Sequence, residues 1–235
     1  MNLCVIPARG GSKRIPRKNI RDFCGKPIIA RSIDAAKASG CFDQIIVSTD
    51  DAEIADVARH SGAEVPFVRP ANLSDDFSGT TPVVAHAVPW YQDQGQQLNA
   101  VCCLYATAPF VLPSDLRNGL ELLHQAKSES FVFTATAYPS PIERALKVNT
   151  LSGEVEMISP EHFSTRSQDL EIAYHDAGQF YWGRSKSWLE SSDIFSLSRL
   201  LVLPSWRVQD IDYEEDWLRA ELLFQLCDKI ASEPS

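Results

Sequence analysis

Short apolar segments alternate with stretches of helical periodicity through the first 137 residues of the chain. Strand–helix–strand units of this spacing join parallel neighbours through right-handed crossovers. The apolar segments are also unbroken, which is typical of strands that are covered on both faces. The sequence therefore predicts an α/β fold with a Rossmann-like, mostly parallel sheet and helices on both faces. The predicted strands cover residues 3–8, 44–49, 64–68, 100–105 and 131–137.

The predicted helices lie between these strands, and the alternation stops after residue 138. Helical spacing predicts helices from Pro27 up to Gly40 and over residues 53–60, 82–91 and 114–126. Residues 139–176 are rich in proline and polar side chains, and we interpret them as an inserted arm. Strands at 177–183, 200–203 and 207–211 and a helix at 216–230 are predicted to follow. The 235 residues fit a single domain.

Composition excludes several classes of protein. Net charge is −9 and the pI is about 5.0, the opposite balance to that of a general nucleic-acid binder. An acidic surface also gives no reason to expect membrane binding, and no apolar run approaches the roughly 18 residues of a membrane span. The 6 cysteines are scattered without zinc-ligand spacing. We expect them to be reduced, in a cytoplasmic protein.

Positive charge is concentrated in one segment, residues 9–21, which we call the basic loop. The first acid of the chain, Asp22, follows it directly. Gly10, Gly11 and Ser12 open the loop after the first strand, so that backbone N–H groups can close around an anion. The sequence predicts a phosphate-binding loop, although it matches neither the Walker nor the dinucleotide spacing. A solvated surface loop is the alternative. The cations of the basic loop are Arg9, Lys13, Arg14, Arg17, Lys18 and Arg21.

Two carboxylates near the C-terminus are candidates for a metal site. Asp210 and Asp212 alternate on the strand predicted at 207–211, so their side chains share one face. Mg²⁺ is commonly held by one or two carboxylates together with phosphate oxygens. Two solvated acids before a helix are the alternative interpretation.

An ordered set of motifs resembles one enzyme family. It comprises V-I-P-A-R-G-G-S-K-R-I-P-R-K-N (5–19), G-K-P-I-I-A (25–30), I-I-V-S-T-D (45–50), R-P-A-N-L-S-D-D (69–76) and D-I-D (210–212). The set resembles the CMP-sialic acid synthetases, or acylneuraminate cytidylyltransferases, over nearly the whole chain. Two segments, L-Y-A-T-A-P-F-V (104–111) and H-D-A-G (175–178), depart from the sialic acid branch and look like the pseudaminic acid branch.

The resemblance implies the reaction and its substrates. The anomeric hydroxyl of pseudaminic acid, a nine-carbon acidic sugar, attacks the α-phosphate of CTP and releases pyrophosphate, with Mg²⁺ as cofactor. N-acetylneuraminic and legionaminic acid are alternative sugars. A metal-dependent glycosyltransferase and a non-catalytic nucleotide-binding module are rival classes. The resemblance and the arm also suggest a homodimer.

The resemblance also implies site residues. Arg9, Lys13, Lys18, Asp210 and Asp212 are the predicted catalytic residues. The predicted nucleotide contacts add Ala8, Gly10, Gly11, Ser12, Asn19 and Arg69. Candidate sugar contacts are Tyr105, Thr107, Arg166, Gln168, Tyr174, His175, Asp176 and Gln179.

Overall fold

The computed structural model describes residues 1–75, 78–127, 130–190 and 193–232, with side chains described up to residue 227 in the last helix. Asp76, the last residue of the motif at 69–76, lies outside the described residues. The strands are β1 (Asn2–Pro7), β2 (Asp22–Phe23), β3 (Lys26–Pro27), β4 (Gln44–Ser48), β5 (Ala100–Leu104), β6 (Val132–Ala137), β7 (Leu146–Val148), β8 (Val155–Met157), β9 (Tyr174–Arg184) and β10 (Arg199–Val202). The α-helices are α1 (Ile28–Ser39), α2 (Ala52–His60), α3 (Thr80–Gln92), α4 (Pro113–Gln125), α5 (Ser185–Glu190) and α6 (Glu214–Ser232).

Six strands form one central sheet in the order β10-β6-β9-β5-β1-β4. β1 runs parallel to both β4 and β5, and β10 runs parallel to β6. β9 is antiparallel to both of its neighbours, β5 and β6. The predicted mostly parallel sheet is therefore confirmed. Its parallel strands direct their carboxyl ends toward one edge, where open α/β sheets bind ligands.

Helices cover both faces of this sheet, as predicted. Along β1, Cys4 and Ile6 point into the core beneath α1, α2 and α4. Leu3 and Val5 point into the opposite core, beneath α3 and α5. All four side chains are fully buried, and burying a Leu, Val or Ile side chain contributes roughly 1.5–3 kcal/mol. This alternation fixes the register of β1 and hence the point at which the basic loop leaves the sheet.

A third core cluster attaches α6 to the basic loop. Ile15 and Phe23 pack there with Ile211 and with Trp217 of α6. The rings of Phe23 and Trp217 meet edge to face, with centroids 5.5 Å apart. The C-terminal helix is thus packed against the predicted phosphate-binding segment.

Two predicted strands are wrong. Residues 64–68 make only two isolated parallel bridges to the β4 edge, at Glu64 and Val68. Pro66 lies between them and has no N–H to donate to a ladder. The strand predicted at 207–211 is absent from that described segment. After Pro204, a 3₁₀ turn at Ser205–Arg207 satisfies the backbone locally and the following residues are irregular.

The inserted segment is small and open. β7 and β8 pair as an antiparallel hairpin, and three 3₁₀ turns complete it. β9 begins at Tyr174, so residues 174–176 belong to the central sheet, and we keep the name arm for residues 139–173. All of these residues are described, and none of their side chains belongs to the three core clusters.

The 6 cysteines are free thiols, as expected. Cys4, Cys102 and Cys103 are buried in the sheet, and burial raises the pKa of each thiol. These thiols therefore act as small apolar side chains of the core.

Within the described part of the chain, no helix has both the length and the apolar character needed to cross a membrane.

Candidate functional site

A cavity of about 240 Å³ opens at the carboxyl edge of the parallel strands. It brings the basic loop together with the end of β5 and with Asp212 of the predicted acid pair, whereas Asp210 is outside the lining. Of the predicted site residues, it is lined by Arg9, Ser12, Lys13, Lys18, Asn19, Arg69, Tyr105, Thr107 and Asp212. These predicted residues come from four separate stretches of sequence and converge on one polar cavity.

The basic loop is held at the start of α2 by ion pairs of Arg17 with Asp51 and Glu53, which we call the Arg17 latch. Arg17 adopts the left-handed backbone conformation, with φ of 56°, and its guanidinium grips Asp51 and Glu53. Asp51 also caps α2 by accepting a hydrogen bond from the Ile54 N–H at 3.0 Å. Its hydrogen bonds with Arg17 lower the pKa of Asp51 to about 2. Asp51 is therefore ionised at neutral pH and holds the loop in one place.

Gly10 is required by this latch. Its N–H donates to Asp50 Oδ1 at 2.9 Å. A Cβ at this position would lie 2.7 Å from Asp51 Oδ2, which is too close for any other residue. Ala8, immediately before, donates its N–H to the Ser48 carbonyl at 2.9 Å. The backbone at Ala8 and Gly10 is thus committed to shaping the loop, whereas a Cβ on Gly11 would meet open space.

Lys18 connects the loop to the acid pair. Its Nζ donates to the Ile211 carbonyl at 2.6 Å and lies 3.7 Å from Asp212. Partial burial lowers the pKa of Lys18, an effect that Asp212 and Asp210 oppose. Arg14 forms a second ion pair with Asp212 at 2.8 Å. The two walls of the cavity are therefore drawn together by opposite charges.

Asn19 and Arg69 form the buried floor of the site. Asn19 donates to the Arg9 carbonyl at 3.0 Å. Arg69 is 5% exposed and donates to the Ser48 hydroxyl at 3.1 Å. Burial lowers the pKa of Arg69 to about 10, so that it remains charged at neutral pH. A fixed positive charge in a poorly solvated position suits a polyanionic ligand.

We call residues 208–213 the acidic segment. Ile211 is 1% exposed and packs into the third core cluster, while Asp210 and Asp212 turn outward. The predicted alternation of the two acids therefore holds without a strand. Desolvation, reinforced by Asp212, raises the pKa of Asp210.

The acid pair fits a divalent cation only together with further ligands. Among the described residues, no group of three or more His, Cys, Asp or Glu side chains could hold a metal ion. Two carboxylates alone leave most positions of an Mg²⁺ ion to phosphate oxygens and water, which is its common arrangement at nucleotides.

The start of α3 is a part of the site that the sequence analysis missed. Ser78, Gly79 and Thr80 line the cavity, and Thr80 Oγ1 lies 2.8 Å from the Tyr105 hydroxyl. The N–H groups and dipole at a helix N-terminus favour anions. A glycine followed by Thr-Thr-Pro was an available signal, because small and polar residues commonly begin helices.

Several predicted sugar contacts lie on β9, beside the cavity and not in its lining. Asp176 accepts hydrogen bonds from the Gly178 N–H at 2.8 Å and from the Tyr181 hydroxyl. The Tyr181 ring packs 5.4 Å from that of Tyr105, which does line the cavity. His175 follows Tyr174 and stacks obliquely on Tyr138. These residues border the arm side of the site.

The remaining sugar candidates are also outside the cavity lining, although the Gln179 carbonyl accepts the Tyr105 N–H at 2.9 Å. Arg166 and Gln168 are exposed at a 3₁₀ turn of the arm. Gln179 is 3% exposed and donates to the Arg207 carbonyl at 2.7 Å. Its amide therefore supports the backbone before the acidic segment.

Comparison with known proteins gives consistent matches. The profile of the family described as Cytidylyltransferase matches residues 3–202. The chain is 50% identical to the pseudaminic acid cytidylyltransferase of Campylobacter jejuni strain 81-176, over 96% of this chain and 97% of that protein. It is 35% identical to the CMP-N,N'-diacetyllegionaminic acid synthase of Legionella pneumophila, over 95% of this chain and 96% of that protein.

The fold is also found in a solved structure. CMP:2-keto-3-deoxy-manno-octonic acid synthetase complexed with CTP superposes with a TM-score of 0.68. The alignment covers 96% of this chain and 98% of that one, at 18% sequence identity. This likeness confirms the architecture.

Proposed function

Because the chain belongs to the cytidylyltransferase family, we propose that it transfers CMP from CTP to pseudaminic acid and releases pyrophosphate. The observation that carries this proposal is the cavity in which the basic loop faces Asp212 across the end of β5. Such a cavity suits a triphosphate on one wall and an acceptor on the other. The 50% identity to a pseudaminic acid cytidylyltransferase supports the choice of sugar.

The reaction forms one P–O bond and breaks another. The anomeric hydroxyl oxygen of the sugar attacks the α-phosphorus of CTP and loses its proton. The bond from the α-phosphorus to the bridging oxygen breaks, and pyrophosphate leaves with that electron pair. This step depends on positioning and charge neutralisation more than on covalent catalysis.

The basic loop supplies the charge neutralisation. Arg9, Lys13 and Lys18 lie on one wall of the cavity, where they would bind the β- and γ-phosphates that depart as pyrophosphate. Ser12 on the same wall and the backbone of Gly11 would donate further hydrogen bonds. The buried Asn19 and Arg69 would face the cytidine.

The acid pair has the oxygen ligands that Mg²⁺ prefers, so we propose Mg²⁺ as cofactor. Asp210 and Asp212 would hold it with phosphate oxygens of CTP. Bound there, the ion would neutralise phosphate charge and favour ionisation of the sugar hydroxyl. The ion pairs of Asp212 with Arg14 and Lys18 keep that acid facing the loop until then.

The sugar would occupy the side of the cavity toward β9 and the arm. Tyr105 and Thr107 form that wall, and Asp176 lies behind it. Tyr174, His175 and Gln168 are further candidate contacts. Arg166 has the planar guanidinium suited to the sugar carboxylate. Because Arg166 is on the exposed arm, we propose that the arm moves, or pairs with the arm of a second copy, before Arg166 binds the sugar.

We further propose that the chain works as a cytoplasmic homodimer joined through the arm. The free thiols are consistent with a reducing compartment. The arm exposes eight large apolar side chains, and exposed apolar surface is typical of interaction sites. They are Ile142, Leu146, Val148, Leu151, Val155, Ile158, Phe163 and Ile172.

A substrate panel tests the proposed reaction. CTP, UTP, ATP and GTP are each combined with pseudaminic, N-acetylneuraminic and N,N'-diacetyllegionaminic acid, and pyrophosphate release is measured with Mg²⁺. We expect the CTP and pseudaminic acid pair to give the highest kcat/KM. Equal rates with UTP would contradict the nucleotide assignment. Nucleotide binding without turnover of any sugar would favour a binding module, and transfer from a nucleotide sugar would favour a glycosyltransferase.

A further inference from the structure

A nearly buried ion pair joins Arg207, three residues before Asp210, to Asp115 at the start of α4. Their side chains are 11% and 9% exposed, and Arg207 Nη2 donates to Asp115 Oδ2. The same Nη2 donates to the Phe110 carbonyl at 3.2 Å. Burying two charges is costly in itself, so such pairs are weak devices for stability. Their placement therefore calls for another explanation.

Asp115 anchors the pair to one wall of the cavity. It is the third residue of α4, and its carboxylate accepts the Leu112 N–H at 3.0 Å. Phe110 and Leu112 end the loop that begins with Tyr105 and Thr107 in the cavity lining. Arg207 therefore grips both the end of that loop and the helix that follows it.

Arg207 is itself held by a residue of β9, and it lies three residues before Asp210. Gln179 of β9 donates to its carbonyl oxygen at 2.7 Å. The other end of the acidic segment is fixed by Asp216, which accepts the Asp212 N–H at 3.1 Å and the Tyr213 N–H at 2.9 Å. The acidic segment is thus held at both of its ends. Arg207 holds the N-terminal end, and Asp216 holds the C-terminal end.

We infer that Arg207, held by Asp115 and Gln179, is a positioning residue that sets Asp210 and Asp212 opposite the loop that begins at Tyr105. An arginine suits this role because one nitrogen of its rigid guanidinium, Nη2, donates to a carboxylate and to a carbonyl, whereas a lysine carries its ammonium on a flexible stem. The catalytic meaning of the placement rests on the proposed function. In this arrangement Gln179 supports the backbone that leads into the acidic segment and does not contact the sugar.

The test compares Arg207→Lys with Arg219→Lys, a matched arginine in an exposed ion pair with Glu215 on α6. Three quantities are measured: kcat and KM, hydrogen exchange of the amides at 208–213, and Mn²⁺ binding in the presence of a non-hydrolysable CTP analogue. For Arg207→Lys we expect kcat and Mn²⁺ affinity each to fall about tenfold, the lower end of the range for residues that orient metal ligands, because Arg207 acts through the backbone that carries both acids. KM for CTP should change by less than about threefold, since the basic loop is untouched.

Hydrogen exchange separates positioning from general damage. Exchange at 208–213 should accelerate in Arg207→Lys while β1 and β5 keep their protection, and Arg219→Lys should match the wild type in all three measurements. Gln179→Met, which keeps the volume and removes the donor to the Arg207 carbonyl, should show the same pattern more weakly. It also tests the inference if Arg207→Lys does not fold.

Two results would overturn the inference. One is hydrogen exchange at 208–213 and a kcat that both match the wild type in Arg207→Lys and in Gln179→Met. The other is faster exchange spread evenly over β1, β5 and the acidic segment, which a merely structural ion pair would give. If the wild-type enzyme turns over no sugar, the proposed function fails, while exchange and Mn²⁺ binding still decide the positioning role.

Discussion

The basic loop and the arm are built in opposite ways. The basic loop is tied to three other parts of the chain by ion pairs: Arg17 binds α2, Arg14 binds the acidic segment, and Arg21 binds Glu214 of α6 at 2.7 Å. The arm has its own short hairpin, contributes nothing to the core clusters and exposes its apolar side chains.

This difference teaches where the site is preorganised. Phosphate groups are the same in every CTP molecule, and a loop fixed in advance binds them without paying an ordering entropy at each turnover. The proposed sugar end of the site is bordered by the arm. None of the described core clusters fixes the geometry of the arm. We therefore expect variants of the loop and acidic segment to act on chemistry and CTP, and variants of the arm to act on sugar and assembly.

The largest expected effect is at the acid pair. Asp212→Asn should lower kcat about 100-fold or more, because a bound metal contributes several kcal/mol to the transition state and each 1.36 kcal/mol is tenfold. Steady-state pyrophosphate release measures it. Glu215→Gln, an exposed acid at the start of α6, should behave as wild type. Near-normal rates in well-folded Asp212→Asn would remove the metal-ligand assignment.

Loss of a loop cation comes next. Lys13→Ala and Lys18→Ala should each lower kcat/KM for CTP about tenfold to a hundredfold, as a charge-assisted contact contributes about 1.5–3 kcal/mol. The control is Lys26→Ala, whose ammonium pairs with Asp34 2.6 Å away and does not line the cavity. Wild-type kinetics in both loop variants would mean that the loop is merely solvated.

The arm should respond differently. Leu151→Asp and Phe163→Asp place charges on the two most exposed apolar side chains of the arm, 98% and 79% exposed. Sedimentation should shift from a dimer to the 26.1 kDa monomer. KM for the sugar should rise about tenfold, while KM for CTP should stay within about threefold. A wild-type protein that sediments as a monomer at all concentrations would contradict the proposed dimer.

The smallest expected effect concerns acid stability. The folded pKa of Asp51, about 2, lies below its ordinary value of 3.8. The Arg17 latch therefore stabilises the fold above about pH 4, and this contribution is lost as pH falls toward 2. Arg17→Gly keeps the left-handed backbone accessible but removes the ion pair. Urea unfolding midpoints between pH 5 and 2 should fall less steeply in this variant than in wild type, and identical slopes would exclude the latch.

The loop was predictable from sequence because its signals are local. Gly10, Lys13 and Lys18 lie within a few residues of one another, directly after an unbroken apolar strand, and phosphate chemistry requires that combination. The alternation of Asp210 and Asp212 about an apolar residue was likewise visible in the sequence, although the strand predicted there is absent from the described structure. Free thiols, the parallel sheet and the helices on both faces followed from pattern alone.

What the sequence missed depends on long-range contacts. Arg207 and Asp115 pair across 92 positions of sequence, and nothing near either residue signals the other. The hydrogen bond from Gln179 to the Arg207 carbonyl is a further long-range contact that the motif around Gln179 did not indicate. Ser78 and Thr80 join the site only because α3 begins at the cavity. Pro66 should have weakened the strand predicted at 64–68, and that signal was available.

We propose that this cytidylyltransferase selects pseudaminic acid at the β9 side of its cavity. The most direct measurement is a competition in which CTP, Mg²⁺ and equal amounts of pseudaminic and N-acetylneuraminic acid are present together. The two CMP products are then separated and scored by mass. A buried polar group left unpaired costs about 1–3 kcal/mol. If N-acetylneuraminic acid leaves one group unpaired at each of the two segments that depart from the sialic acid branch, 104–111 and 175–178, the predicted excess of CMP-pseudaminate is about a hundredfold or more. A mixture dominated by CMP-N-acetylneuraminate would contradict the account.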